Sequence, residues 1–309
     1  MHVLIFANPF SGSKANPKRV ARLESALKGA GLSPQVSWER TGRAERIRAA
    51  AAEGQLQAVV AAGGDGSVAD AINAMADADC LDLPFTTLPV GTENLFAKQF
   101  NLHRLAPEKL AVAIRDRQTR PCDLGEYHAD GGFETPGRLF TLMASTGFDA
   151  DVVRHVQNWR CAPTDGTLRR VRKASYLKPV VKSIFGYRYP KLSLTADGET
   201  VTGSQAYVFN LPQYGGNLGI GRHAKPDDGQ LHWLVFRKPG LLNLIGYHGL
   251  CKIDRHLQAG SIAHGYAREI SVTADQEGSL PSQADGDPAG HTPMHLRSRP
   301  GVLQVITPG

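Results

Sequence analysis

The chain has 309 residues, 41% of them apolar, with 35 Lys and Arg against 29 Asp and Glu and a net charge of +6. That length gives a sizeable core and suits roughly two domains. The four cysteines stand far apart with no Cys-x-x-Cys pair, which excludes a disulfide framework and a zinc knuckle, and no stretch approaches the ~18 apolar residues of a membrane span.

In chain order, residues 3–7 read as a buried strand that meets Asn8-Pro9 at once, and this opening is too short and too uncharged for a signal peptide. Asn16-Pro17 is a cap followed by a first-turn proline; Val20, Leu23 and Leu27 form a helical stripe, and Gly29 and Gly31 stop it. A strand near 34–38 and a helix over 44–52 follow. The apolar run 58–62 reads as a strand, Gly63-Gly64-Asp65-Gly66-Ser67 as a tight turn, and Val68, Ile72 and Met75 as a helix after it. A strand at 85–90 completes a βαβ series, hence a mostly parallel sheet with helices on both faces. Ligands on such sheets bind at the carboxyl ends of the strands, where the loops 8–12, 63–67 and 89–92 gather.

After about residue 125 the texture changes. Short β-rich stretches at 139–144, 191–196, 205–210, 231–236 and 269–273, divided by Gly, Asp, Asn and Pro turns, read as an antiparallel sandwich or barrel. Helices are expected over 168–185, broken near Pro179, and over 241–257, while 274–291 reads as a loop. The fold expected is an N-terminal α/β domain over 1–128 and a β-rich second domain over 129–295, with the segment from about 296 to 309 returning to the first.

The glycine turn carries the sharpest chemical signal. A helix N-terminus offers free N–H groups and a positive dipole end, and glycines let a phosphate approach the backbone. Asp65 would repel a bare phosphate, so it either meets a divalent cation beside the nucleotide or organises the turn; both readings point toward phosphoryl transfer. Gly64-x-Gly66-x-x-Ala69 also satisfies a dinucleotide pattern, but it follows a later strand and has no proton-relay set with it. By turn chemistry alone Asn8 and Ser11 are a turn and a cap, Asp285-Gly286-Asp287 is a type I turn, and Asp227-Asp228-Gly229 is equally a turn or a metal site.

Taken together, Asn8-Pro9-x-Ser11-Gly12, Gly63-Gly64-Asp65-Gly66-Ser67 and Pro89-Val90-Gly91-Thr92-Glu93-Asn94-Leu95-Phe96-Ala97 resemble the diacylglycerol kinase catalytic-domain family, which includes bacterial soluble lipid kinases and sphingosine and ceramide kinases. Cys122-Asp123-Leu124-Gly125, Gly147-Phe148-Asp149-Ala150, Asp227-Asp228-Gly229 and Asp285-Gly286-Asp287 extend the likeness over the whole chain.

The resemblance implies an NAD kinase-like α/β domain that binds ATP, a β-rich domain for the acceptor, and a site in the cleft between them. It implies nucleotide contacts at Asn8, Ser11, Thr41, Gly63, Gly64, Asp65, Gly66, Ser67, Thr92 and Asn94. Asp285 would be the catalytic base with Asp287 beside it, and Asp228 a ligand of a structural Mg2+. Two departures stand out: Leu95 occupies a position that is often Asp, and Asp287 one that is Glu.

The expected activity is transfer of the γ-phosphoryl group of ATP to a lipid hydroxyl, with ATP and Mg2+ as cofactors. The alternatives are an NAD kinase-like enzyme and a non-catalytic nucleotide- or lipid-binding relative. The expected setting is cytoplasmic and peripheral at the inner membrane face. The expected partner is a lipid substrate at an anionic surface, with no nucleic acid, and a homodimer is left open. The cations of 169–182, interleaved with apolar residues, read either as a membrane-docking segment or as a solvated helix face.

Overall fold

The computed structural model describes residues 1–11, 16–129, 132–134, 136–161, 177–215, 218–275 and 279–308. It divides into two compact units, Met1–Leu124 with Pro300–Gly309, and Gly125–Arg299. Both boundaries lie four residues from the expected ones, inside long strands rather than loops.

The first unit runs β1 (His2–Ala7), α1 (Asn16–Gly29), β2 (Ser33–Ser37), α2 (Arg43–Ala52), β3 (Leu56–Gly63), α3 (Asp65–Asp77), β4 (Pro84–Pro89), α4 (Leu95–Gln99), α5 (Pro107–Arg115) and into β5 (Thr119–Ala129). The strands lie in the order β2-β1-β3-β4, all parallel, and residues 304 and 305 add a further parallel pairing beside β4. All eight residues of β3 are buried. A strand covered on both faces explains why its sequence is a continuous apolar run. The α1 stripe of Val20, Leu23 and Leu27 and the α3 stripe of Val68, Ile72 and Met75 are buried as their spacing requires. Sequence patterning gave no sign of α4, α5 or β5. The first two are short, and β5 carries Pro121, Asp123 and Gly125, which read as turn residues.

The second unit adds β6 (Arg138–Phe140), β7 (Met143–Thr146), α6 (Phe148–Arg160), α7 (Leu177–Gly186), β8 (Leu192–Ala196), β9 (Glu199–Gly203), β10 (Gln205–Phe209), β11 (Leu231–Phe236), α8 (Leu241–Lys252), β12 (Ile262–Ala267), β13 (Glu269–Ala274), β14 (Pro281–Ala284), β15 (Asp287–His291) and β16 (Met294–Ile306). One antiparallel sheet has the order β12-β11-β10-β7-β14-β15. The other pairs β9 with β8, β8 with β13 and β13 with β16. Inward residues of both sheets, including Leu194, Val208, Trp233, Val235, Val272 and Leu296, share one core cluster, so this is a β-sandwich.

Two expectations are corrected here. The supposed loop 274–291 contains the hairpin β14–β15, whose turn Asp285-Gly286 has both residues at positive φ, 51° and 85°. That is the type I′ pattern for which Asp-Gly is favoured, in place of the type I turn expected. Residues 148–160 form α6, a helix beyond the two expected in this half of the chain. Part of the expected helix 168–185, with Arg169, Arg170, Arg172 and Lys173, lies outside the described residues.

Gly125 shows why its motif is strict. It pairs across the ladder with Phe140, and a Cβ there would sit 2.0 Å from the Phe140 ring. Gly125→Ala should therefore destabilise the protein by about 1–3 kcal/mol in chemical denaturation. Adding Phe140→Leu should recover part of that loss; no recovery would mean that the ring is not the obstacle.

Candidate active site

The glycine turn is built by close packing. A Cβ on Gly63 would fall 2.1 Å from Ser67 Oγ, because the first turn of α3 folds back over the end of β3. A Cβ on Gly91 would fall 2.4 Å from Gly64 Cα, so the loops that follow β3 and β4 meet backbone to backbone. Val90 N–H donates to Gly63 O at 3.0 Å and completes the junction.

Gly66 is different. It sits in the first turn of α3, is exposed, and has nothing within 4 Å of where its Cβ would be. Glycine in a helix costs about 0.5–1 kcal/mol relative to alanine, and no contact among the described residues demands it. Its N–H belongs to the orphan donors of a helix start, at the positive end of the dipole. The open space in front of these amides leaves room for a nucleotide phosphate to approach the backbone.

Around this turn the structure gathers several of the expected residues. Asn8 Nδ2 donates to Ser67 Oγ at 3.1 Å, Phe10 N–H donates to Asn8 Oδ1 at 2.9 Å, and Ser11 N–H donates to Asn8 O at 3.2 Å. The first loop is thus tied to the second by side chains read above as ligand contacts. Asn94, at φ 50°, has a similar role: its Oδ1 accepts from Gly91 N–H and its Nδ2 donates to Gly91 O, each at 2.9 Å. Both ends of its amide close the third loop, so Asn94 shapes the site through its backbone turn and not by a free side chain. Thr41 and Thr92 are exposed at the same strand ends.

Of the two readings of Asp65, the structure supports the organiser. Its Oδ1 accepts from Phe96 N–H at 2.9 Å and its carboxylate also caps Leu95 N–H, so it holds the start of α4. Burial pushes this carboxyl above the usual range against the pull of those amides. Leu95 is itself only 9% exposed and points an apolar side chain into the packing of α4. Sequence reasoning passed over Arg19 of α1, whose guanidinium donates to Pro89 O at 2.8 Å, next to the third loop. A lone Arg in a helix start has no spacing signal that could have revealed it.

In the second unit the Asp285 carboxylate accepts four hydrogen bonds. Thr141 N–H and Oγ1–H reach Oδ2 at 2.7 and 2.8 Å, and Leu142 and Met143 N–H reach Oδ1 at 2.8 and 3.1 Å. Burial nevertheless dominates and raises the carboxyl to about 6. The turn is braced by Gln283, which is fully buried. Its Oε1 accepts from Gly286 N–H, while its Nε2 donates to Ser145 Oγ at 2.8 Å and to Asp149 Oδ2 at 3.0 Å. Asp149 also accepts from Ser145 and Tyr214 hydroxyls, and burial raises its carboxyl too. Asp287 is exposed at the start of β15. Thr141, Gln283 and Tyr214 were invisible in sequence, because no periodic pattern marks a residue that matters by meeting a distant turn.

Asp228 Oδ1 accepts from Gln230 N–H at 3.1 Å, the turn geometry, and among the described residues no group of three His, Cys, Asp or Glu side chains is arranged to hold an ion.

Two family models match the chain. The diacylglycerol kinase catalytic domain covers residues 2–127, and the YegS C-terminal NAD kinase beta sandwich-like domain covers residues 143–307, more than half of the chain. The chain belongs to the diacylglycerol kinase catalytic-domain family. Family relatives include the diacylglycerol kinase of Mycobacterium tuberculosis, 27% identical over 99% of this chain and 95% of the relative, and that of Bacillus subtilis, 23% identical over 98% and 95%. A solved Bacillus anthracis structure superposes with a TM-score of 0.74 over 99% of this chain and 95% of its own, at 20% identity, which bears on the fold alone. The family's kinase chemistry implies use of ATP, and the first-unit cradle suits it.

Two outcomes follow. Gly66→Ala should raise stability by about 0.5–1 kcal/mol in denaturation while weakening ATP binding at least about tenfold in a titration; a stabilised protein with unchanged ATP affinity would remove the phosphate from this turn. The Asp285 carboxyl titrates near 6 in the fold against 3.8 unfolded, so the native state binds the extra proton between those values. Its stabilising contribution is full below pH 3.8 and is lost as pH rises through 6, on the order of 3 kcal/mol. The stability advantage of the parent over Asp285→Asn should therefore shrink from pH 4 to pH 7. A gap that ignores pH would contradict the burial of this carboxyl.

Proposed function

We propose that this protein is an ATP-dependent lipid kinase that transfers the γ-phosphoryl group of ATP to the hydroxyl of a diacylglycerol-like lipid. The observation that carries the nucleotide half is Gly66, a glycine in a helix start that the described fold does not need and that a phosphate does. Family membership and the names of the Mycobacterium tuberculosis and Bacillus subtilis relatives support the acceptor class.

Phosphoryl transfer asks the protein mainly for positioning and charge neutralisation. The first-turn amides of α3 take the phosphates, and the loops of Asn8 and Ser11 and of Thr92 frame them. Mg2+ enters as the counter-ion of ATP, and no step is assigned to Asp228. Asp285 acts as the base. Three of its four donors are backbone amides fixed in place, whereas the fourth is the rotatable hydroxyl of Thr141 on Oδ2. A lipid hydroxyl takes that place, gives its proton to Oδ2, and its oxygen attacks the γ-phosphorus as ADP leaves. A carboxyl near 6 is ionised at neutral pH yet more basic than an ordinary aspartate. No described helix is long and apolar enough to cross a membrane, so the enzyme meets its lipid as a peripheral protein.

Turnover of ATP by purified protein against diacylglycerol, phosphatidylglycerol, a sphingoid base and NAD tests the reading. Phosphorylation of a lipid is expected, with kcat/KM rising through about pH 6. Asp285→Asn, assayed well below its melting temperature, should lose about 10²–10⁴ in single-turnover rate at unchanged ATP affinity. Phosphorylation of NAD alone, or a full rate in the variant, would overturn the acceptor or the base respectively.

A further inference from the structure

Helix α8 has two apolar faces and only one of them is covered. On the inner face Tyr247 and Cys251 are buried, and Leu244 packs on the cluster of Phe148, Val152 and Val156. On the outer face Leu242 is 85% exposed and Ile245, one turn on, is 60% exposed; Ile253, just past the helix, is 65% exposed. A surface helix normally turns polar residues outward. Single exposed leucines are ordinary, but adjacent large apolar residues on one helix face mark an interaction surface.

The charges around this face have one sign. Arg237 and Lys238 are exposed just before the helix, Lys252 is exposed in its last turn, and α8 contains no acid. The nearest carboxylate in sequence, Asp254, is paired with Arg222 at 2.7 Å. The same apolar cluster that seats Leu244 also seats Val180 and Ile184 of α7, which exposes Lys178, Val181 and Lys182.

We propose that the outer face of α8, Leu242 and Ile245 flanked by Arg237, Lys238 and Lys252, docks the protein on an anionic lipid bilayer. The apolar pair enters the interface and the cations meet lipid phosphates. Charge complementarity selects this occupant: across a two-fold axis a second copy would set the same cations against one another, whereas anionic headgroups neutralise them. The need for a bilayer rests on the lipid-kinase reading, but the surface is defined without any residue of the site.

Co-sedimentation of the full chain with phosphatidylcholine vesicles, with and without phosphatidylglycerol, decides the matter. The parent should bind the phosphatidylglycerol vesicles, more weakly as salt rises. Leu242→Ser with Ile245→Ser should reduce that binding at least about tenfold, with the melting temperature and turnover of a detergent-dispersed short-chain acceptor unchanged. Arg237→Gln, Lys238→Gln and Lys252→Gln together should weaken binding and flatten its salt dependence, and this set decides alone if the serine pair fails to fold. Undiminished binding by a folded variant, or binding indifferent to phosphatidylglycerol, would overturn the proposal. So would a parent dimer that the serine pair turns into a monomer without changing vesicle binding, which would make the face a contact between copies. A parent that phosphorylates no lipid in any form would overturn the kinase reading, while the vesicle comparison would still decide the docking.

Discussion

Backbone N–H groups left over at turns must find acceptors, and in this protein aspartates supply them. Asp65 caps Leu95 and Phe96 at the start of α4, Asp123 accepts from Gly301 N–H at 2.7 Å, and Asp285 gathers the amides of Thr141, Leu142 and Met143. Each joins segments far apart in the chain, and each fixes a turn that has no regular ladder of its own. An unpaired buried amide is expensive, and a charge-assisted bond to a carboxylate is roughly twice as strong as a neutral one. The seating of α4 against the glycine turn and the position of the Asp285 turn depend on this device.

The same device sets the electrostatics. Burial raises the carboxyls of Asp65, Asp149 and Asp285 although each accepts several hydrogen bonds, because the loss of water outweighs the donors gained. A carboxylate that organises a turn and one that takes a proton are therefore not separate designs. At Asp285 the fixed amides orient the group and burial makes it more basic than an ordinary aspartate, two properties that the base in the proposed reaction needs. Gln283 extends the brace to Asp149 and Tyr214, so the turn is held by a polar network in which every member has partners.

Much of this was legible in sequence where a signal is local. Continuous apolar runs gave the parallel strands because both faces of β1 and β3 are buried, and glycine clusters gave the loops that end them. The β-rich texture of the second half gave the sandwich. Where the signal is short or mixed, reading failed: α4 and α5 are too brief for a clear stripe, β5 contains Pro121 and Gly125, and β14–β15 was hidden by Pro, Ser, Asp and Gly between residues 280 and 290. The family resemblance implied a nucleotide contact at Asn94, and no sequence signal showed that its side chain also closes its own loop.

The sequence by itself determined the order of elements, the place of the phosphate-type glycine turn and the family, because each depends on neighbours within a few residues. Only the tertiary structure decided which role each polar residue plays. That Gly64 and Gly91 touch, that Asp65 caps the start of α4, and that Asp285 rests on Thr141 are contacts across 27 to 144 positions. The distinction between Gly63, required by Ser67 four positions on, and Gly66, required by nothing among the described residues, is likewise a matter of how the turn folds back in space. Hydrogen bonds and close packing act over about 3–4 Å of space whatever the separation along the chain, so residue spacing alone does not encode them.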